Sequence, residues 1–324
     1  MGLLISTVGS FPKPEALARA RERFAEEEIP ASELRAAEDQ ATREVLALQE
    51  QLGIDLLVDG EMDRGDMTTF FADRIEGMEV SGLVRAFGNR YYRKPVLVGE
   101  VRRTAPMTVE RFRFAQSATG KPVKAVLTGP YTLMDWSFDE YYSSREEACL
   151  ALAEVIREEA EDLLAAGARD IQIDEPAISA RPEELPLASK ALSIVTTKLR
   201  GKARTWGHIC YGDFHPVLEQ IAVLPVDGLL LELANSEFDV LEALGRSLPS
   251  DKILGAGVLD VHSHVVETPE EVRARIERIL EVLPADRIWL NPDCGLKTRT
   301  MEEARAKLTS LVLAARSVRE ARGL

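Results

Sequence analysis

Apolar residues in this chain gather into eight short runs separated by long amphipathic stretches. The runs cover residues 3–8, 54–58, 123–127, 170–173, 203–206, 228–231, 253–257 and 287–290. Most are nearly continuous in apolar residues, as strands covered on both faces are. Between them lie segments with helical periodicity, such as 144–166 and 269–283. The second opens Thr268-Pro269-Glu270-Glu271, an N-cap followed by proline at the first helical position. Eight strand–helix units predict an α/β fold, a (β/α)8 TIM barrel. Two regions exceed the minimal barrel. Residues 12–53 hold an N-terminal helical extension, and within 77–120 the alternating segment 90–101 reads as an inserted hairpin. No low-complexity linker or charge block interrupts the chain, so 1–324 reads as a single domain.

Polar residues follow each run at once: Gly9-Ser10, Asp59-Gly60-Glu61, Thr128-Gly129-Pro130, Asp174-Glu175-Pro176, His208 with Cys210, Glu232, Asp260 with His262, and Asp293-Cys294. In such a barrel the C-terminal ends of the strands form the active-site face. A barrel held together only by its core has no need of a polar group after every strand.

The net charge of -14 argues against nucleic acid as a partner, since phosphates call for a basic surface. Three cysteines make no disulfide framework. No apolar run approaches the roughly 18 residues of a membrane helix, and the N-terminus lacks a charged leader region. A cytoplasmic enzyme is expected.

His208, Cys210, Glu232 and Cys294 are of ligand type and fall at strand ends, which predicts a zinc site. Either cysteine alone reads as a small buried apolar residue; the grouping carries the metal reading. Cys149, within Ala148-Cys149-Leu150, reads as core. Two thiolates make zinc a weaker acid toward water but leave a bound thiol ionised and electron-rich. The set therefore suits thiol activation, although a closed four-ligand site can also be purely structural. His262, with Asp260 two residues before it, is a candidate proton shuttle. His215 reads as structural and His264 as a surface residue. Glu61 and the pair Asp174-Glu175 suggest contact with an amine. Lys297 and Arg299 fit either carboxylate anchoring or plain surface charge, and Trp136 either core packing or a stacking platform.

Longer motifs add a resemblance. Thr7-Val8-Gly9-Ser10-Phe11-Pro12, Asp59-Gly60-Glu61 with Asp66-Met67, Leu127-Thr128-Gly129-Pro130, Gln172-Ile173-Asp174-Glu175-Pro176-Ala177, His208-Ile209-Cys210-Tyr211, Asp260-Val261-His262-Ser263 and residues 291–299 occur in this order. Together they resemble the catalytic C-terminal barrel of cobalamin-independent methionine synthase. The resemblance implies zinc on His208, Cys210, Glu232 and Cys294. It implies homocysteine against Val8, Gly9, Ser10, Glu61 and Asp174, with His262 as proton donor to the leaving group. Arg90, Tyr91 and Trp136 fall where that family contacts a methylated folate. The chain departs from the family pattern in having no room for a second, N-terminal barrel. Ala180 replaces a substrate-contacting Glu, and residues 232–236 lack the family's Arg. It is similar to the short "core" form of the family. These departures favour methylcobalamin, or a corrinoid methyl-carrier protein, over 5-methyltetrahydrofolate as donor. The alternatives are a thiol alkyltransferase with a coenzyme M-type acceptor, a uroporphyrinogen-decarboxylase-like enzyme, and a non-enzymatic corrinoid- or folate-binding protein.

Overall fold

The computed structural model describes residues 2–87, 90–210 and 212–324, with the side chains of 85–92 left out. The chain opens with β1 (Leu4–Ile5), α1 (Glu15–Ala25), α2 (Ala31–Leu52) and a single turn, α3 (Thr69–Ala72). A long hairpin follows, β2 (Ile75–Phe87) and β3 (Arg90–Arg103), and then α4 (Val109–Ser117). Strands and helices then alternate: β4 (Ala125–Thr128), α5 (Pro130–Asp135), the short β5 (Phe138–Asp139), α6 (Arg145–Ala165), β6 (Asp170–Asp174) and α7 (Leu185–Thr196). The last stretch is β7 (Arg204–Ile209), α8 (Leu218–Ala222), β8 (Gly228–Leu231), α9 (Leu241–Ser247), β9 (Ile253–Leu259), α10 (Pro269–Leu280), β10 (Ile288–Pro292) and α11 (Met301–Arg322).

Seven strands form one sheet in the order β1-β10-β9-β8-β7-β6-β4. The described pairings in it are parallel, such as Ile5 with Leu290 and Asp174 with His208. The second apolar run contributes only two bridge residues rather than a full strand. Leu56 pairs with Ser6 and Leu57 with Val123, both in parallel, which supplies the eighth position. This is the (β/α)8 order that the apolar runs predicted. The hairpin makes a separate sheet with β5.

The chain divides into two compact units. The first comprises Met1–Asp63, Arg111–Lys124 and Leu230–Leu324, the second Arg64–Glu110 and Ala125–Leu229. In the first, Thr268 starts α10 and Thr300 starts α11, each with a full capping box. Such boxes satisfy two otherwise orphaned donors at each helix start. Proline at the first position of α10 fits because its missing N–H would be unpaired there. That helix stops at Leu280, ahead of Pro284, earlier than its apolar pattern suggested.

In the second unit, Ser144 caps α6 by accepting from the Glu147 N–H. The hairpin is anchored on α6 by the fully buried Glu159, which accepts from Arg103 Nε (2.8 Å) and from the Met107 and Thr108 amides. Among the described residues, no helix is long and apolar enough to cross a membrane.

The hairpin register shifts between Glu76 and Met78, and Gly77 sits there at φ 89°. A Cβ at this position would collide with the Glu100 carbonyl. Gly77→Ala is therefore expected to destabilise the protein by roughly 1–3 kcal/mol. Gly82, with open space around it, should tolerate alanine within about 0.5 kcal/mol. Urea unfolding of the two variants checks both values.

Candidate metal centre and flanking loops

In the first unit, Glu232 lies just past β8 and is 3% exposed. Its Oε1 accepts from Asn235 Nδ2 (2.9 Å), and its Oε2 lies 3.2 Å from His262 Nε2. Burial makes such contacts necessary, since an unpartnered carboxylate inside a protein is costly. Asp293, beside the half-buried Cys294, shapes the backbone after Glu232. Its Oδ1 accepts from the amides of Leu233 (3.1 Å) and Ala234 (3.0 Å), and its Oδ2 from Asn235 (2.8 Å). Burial pushes the Asp293 carboxyl up to about 7, although those three amides favour the charged form. A Cβ on Gly257 would occupy the space of the Asp293 carboxylate.

Val8 and Gly9 are buried after β1 and Ser10 is half-buried. The Ser10 carbonyl accepts from the Leu296 amide at 2.7 Å, and Gly295 leaves room for the Ser10 hydroxyl. Glu61 is held at φ 54°, after Gly60 at φ 73°. Asp59 Oδ1 accepts its amide at 2.9 Å. Lys13 donates to the carbonyls of both Gly60 (3.3 Å) and Glu61. Burial lowers the Lys13 ammonium to about 8, and the Glu61 charge partly offsets this. Sequence reasoning missed Lys13, whose only signal was its place three residues after Ser10. Asp260 Oδ1 accepts the His262 amide at 2.8 Å, which makes Asp260 a support for the loop. Arg299 is 9% exposed, and its Nε and Nη1 make no hydrogen bond among the described residues. His264 is exposed and pairs with Glu303, as a surface residue would.

In the second unit, His208 and Cys210 are both buried, at the end of β7 and just beyond it. The His208 carbonyl accepts the Glu175 amide at 2.9 Å, and Asp174 Oδ1 accepts from Gln172 Nε2 at 2.6 Å. The structure separates the pair that the sequence grouped. Glu175, 1% exposed, turns toward the start of α5 and accepts the Tyr131 (3.0 Å) and Thr132 (2.7 Å) amides. Gly129 is the residue that leaves space for its carboxylate. Glu175 is thus committed to the fold, and Asp174 alone remains a ligand candidate.

Trp136 follows α5, is 37% exposed, and borders a cavity of about 590 Å3. Asp66, Thr69, Arg93, Lys94 and Pro95 also line it. Arg145 (2.6 Å) and Arg181 (2.8 Å) both donate to Asp135 Oδ1, which steadies the turn that carries Trp136. The side chains of Arg90 and Tyr91 lie outside the described residues. His208 and Cys210, like Cys294 in the first unit, are side chains of the type that ligate a metal ion. Soft thiolates with imidazole are the donor set that zinc accepts. Cys149 is fully buried within α6, as expected of core.

Comparison with known proteins bears on this set. Residues 3–317 match the family model described as the catalytic domain of cobalamin-independent synthase. A 5-methyltetrahydropteroyltriglutamate–homocysteine methyltransferase from Thermotoga petrophila is 37% identical over 97% of this chain and 44% of its own length. One of the same description from Mycolicibacterium paratuberculosis is 40% identical over 97% of this chain and 43% of its own. The chain thus spans under half the length of these relatives. A solved B12-independent methionine synthase from Shewanella sp. W3-18-1, in complex with selenomethionine, superposes with a TM-score of 0.87 at 29% identity, covering 100% of both chains.

The buried Glu175 yields a pH prediction. Burial raises its carboxyl to about 7, against roughly 4.3 for an unfolded chain. Its contribution is therefore complete below about pH 4.3 and is lost as pH rises through 7. Glu175→Gln should flatten that fall by roughly 1–3 kcal/mol, measured as unfolding free energy against pH. Asp293 titrates in the same sense, so a slope should remain.

Proposed function

The chain belongs to the family of cobalamin-independent synthase catalytic domains, and on that premise we propose that residues 1–324 act as one zinc-dependent methyltransferase domain. The acceptor is the thiol of L-homocysteine, the donor a 5-methyltetrahydropteroyl compound, and the product methionine. The relatives' descriptions support both substrates, and the selenomethionine complex of the solved relative supports a methionine-shaped product site. The corrinoid donor favoured by the chain's departures from the family pattern finds no support. The matching family is cobalamin-independent, and both relatives are described with a pteroyl donor. The coenzyme M-type acceptor and the decarboxylase reading gain nothing from the comparisons either.

The observations that carry the proposal are the buried His208 and Cys210 at the end of β7 in the second unit and, in the first, a buried Glu232 in contact with His262. His208, Cys210, Glu232 and Cys294 are the proposed ligands. Zinc held by such a set ionises a thiol at neutral pH and keeps its sulfur electron-rich. Glu61 and Asp174 supply negative charge for the substrate ammonium. Ser10 lies on the loop proposed to meet its backbone, and Arg299 is a candidate partner for its carboxylate. The cavity beside Trp136 is the proposed place for the flat pterin, which an aromatic face suits. In the transfer, sulfur forms a bond to the methyl carbon as the bond from carbon to the pterin nitrogen breaks. The electron pair stays on that nitrogen, and the His262 ring delivers the proton it needs. The hydrogen bond with Glu232 aims the imidazole. Cysteines that must ligate as thiolates favour a reducing compartment, consistent with the cytoplasm.

Purified protein incubated with homocysteine and 5-methyltetrahydropteroyltriglutamate should form methionine, and methylcobalamin should not replace the donor. A protein with a full zinc complement that forms no methionine from the pteroyl donor would sink the proposal. Cys294→Ser should lose most bound zinc by metal analysis, and activity with it, while circular dichroism stays native. His262→Ala should keep its zinc and lose roughly 10²–10⁴-fold in kcat. Steady-state kinetics at saturating homocysteine reads this directly.

A further inference from the structure

Lys307 breaks the pattern of its helix. It lies on the buried face of α11 with Ala304, Leu308 and Leu311, and it is 0% exposed. Its ammonium donates to the Asp260 carbonyl (2.9 Å), to the Val265 carbonyl and to Glu267 Oε2 (2.8 Å). Glu267, 5% exposed, accepts the Asp260 amide on Oε1 at 2.8 Å. Arg275 donates to the same oxygen (3.3 Å) and to the Val258 carbonyl (2.8 Å). The buried pair thus grips both main-chain groups of Asp260. Asp260 in turn accepts the amide of His262, whose ring meets Glu232. One turn earlier on α11, Glu303 pairs with His264.

Taking a lysine and a glutamate out of water is unfavourable, and apolar residues of similar size commonly stabilise as well or better. Packing alone therefore does not account for the pair. What it adds is a fixed path for the loop from 260 to 267. We infer that Lys307 and Glu267 are positioning residues that hold this loop so that His262 stands against Glu232. The inference rests on the proposed methyl transfer for its catalytic meaning, and on geometry alone for the clamp.

The test uses the whole protein carrying Lys307→Met with Glu267→Gln, which removes the ion pair without leaving one charge buried. The variant should fold, keep its zinc, and hold the homocysteine KM within about twofold. Its kcat should fall by about tenfold or more, a share of what a positioned acid contributes. Adding His262→Ala to it should cost less than in the wild type, because residues acting as a unit are not additive. With only four histidines in the chain, ¹⁵N-histidine NMR resolves the ring of His262. Its signals should shift or broaden while those of His208 and His215 stay in place. Glu267→Gln alone, which retains the shape, is the second variant and should move the same His262 signals to a smaller extent. Unchanged His262 signals in a folded variant would overturn the clamp. A wild-type protein without methyl transfer would overturn the functional reading instead, and the NMR result would still decide the clamp.

Discussion

The contact between Glu232 and His262 is the interaction on which this arrangement turns. A carboxylate 3% exposed must find partners, and this one has an imidazole at 3.2 Å and the Asn235 amide at 2.9 Å. Each side of the contact is built by a further buried acid. Asp293 gathers three consecutive amides and so sets the backbone that follows Glu232. Glu267, with Lys307, sets the backbone that leads to His262. The side chains proposed for chemistry are therefore few, and more residues serve to orient them. Pre-organisation of this kind lowers the reorganisation needed when charge moves in the transition state.

Much of this was legible in the chain. Strands buried on both faces announce themselves as continuous apolar runs, and seven of the eight became strands, with Leu56 and Leu57 supplying the eighth position through bridges. Helix starts were visible where a Thr or Ser precedes acidic residues, as at Thr268. Candidate ligands were visible because reactive residue types collected after the strands. What stayed hidden depends on where a side chain turns. Asp174 and Glu175 are adjacent and chemically alike, yet Glu175 is spent on the α5 amides. Lys13 and Lys307 carry no mark separating them from the many surface cations. Periodicity reads a lysine on α11 as solvated, and only the surrounding acceptors explain its burial.

Local disagreement between pattern and structure is informative for this reason. Glu61 at φ 54°, a lysine on a buried helix face, and acids whose carboxyls are raised to about 7 each cost stability in isolation. Most of them border the strand ends proposed as the site. Natural chains tend to break the rules of local consistency where function requires it. Glu175 is the instructive exception, because its burial serves the start of a helix rather than a substrate.

The donor question shows how such detail bears on chemistry. A methyl group leaving a pterin nitrogen leaves behind an electron pair that must take a proton, whereas a corrinoid leaves as a stable anion with no such need. A chain that used the second donor would have no use for a positioned acid. This chain sets His262 against a buried carboxylate and holds its loop with a fully buried ammonium. Ala180 and the missing Arg near Glu232 suggested that the pterin had been given up. The support built around His262 is what the proposed pterin donor, with its demand for a proton, would require.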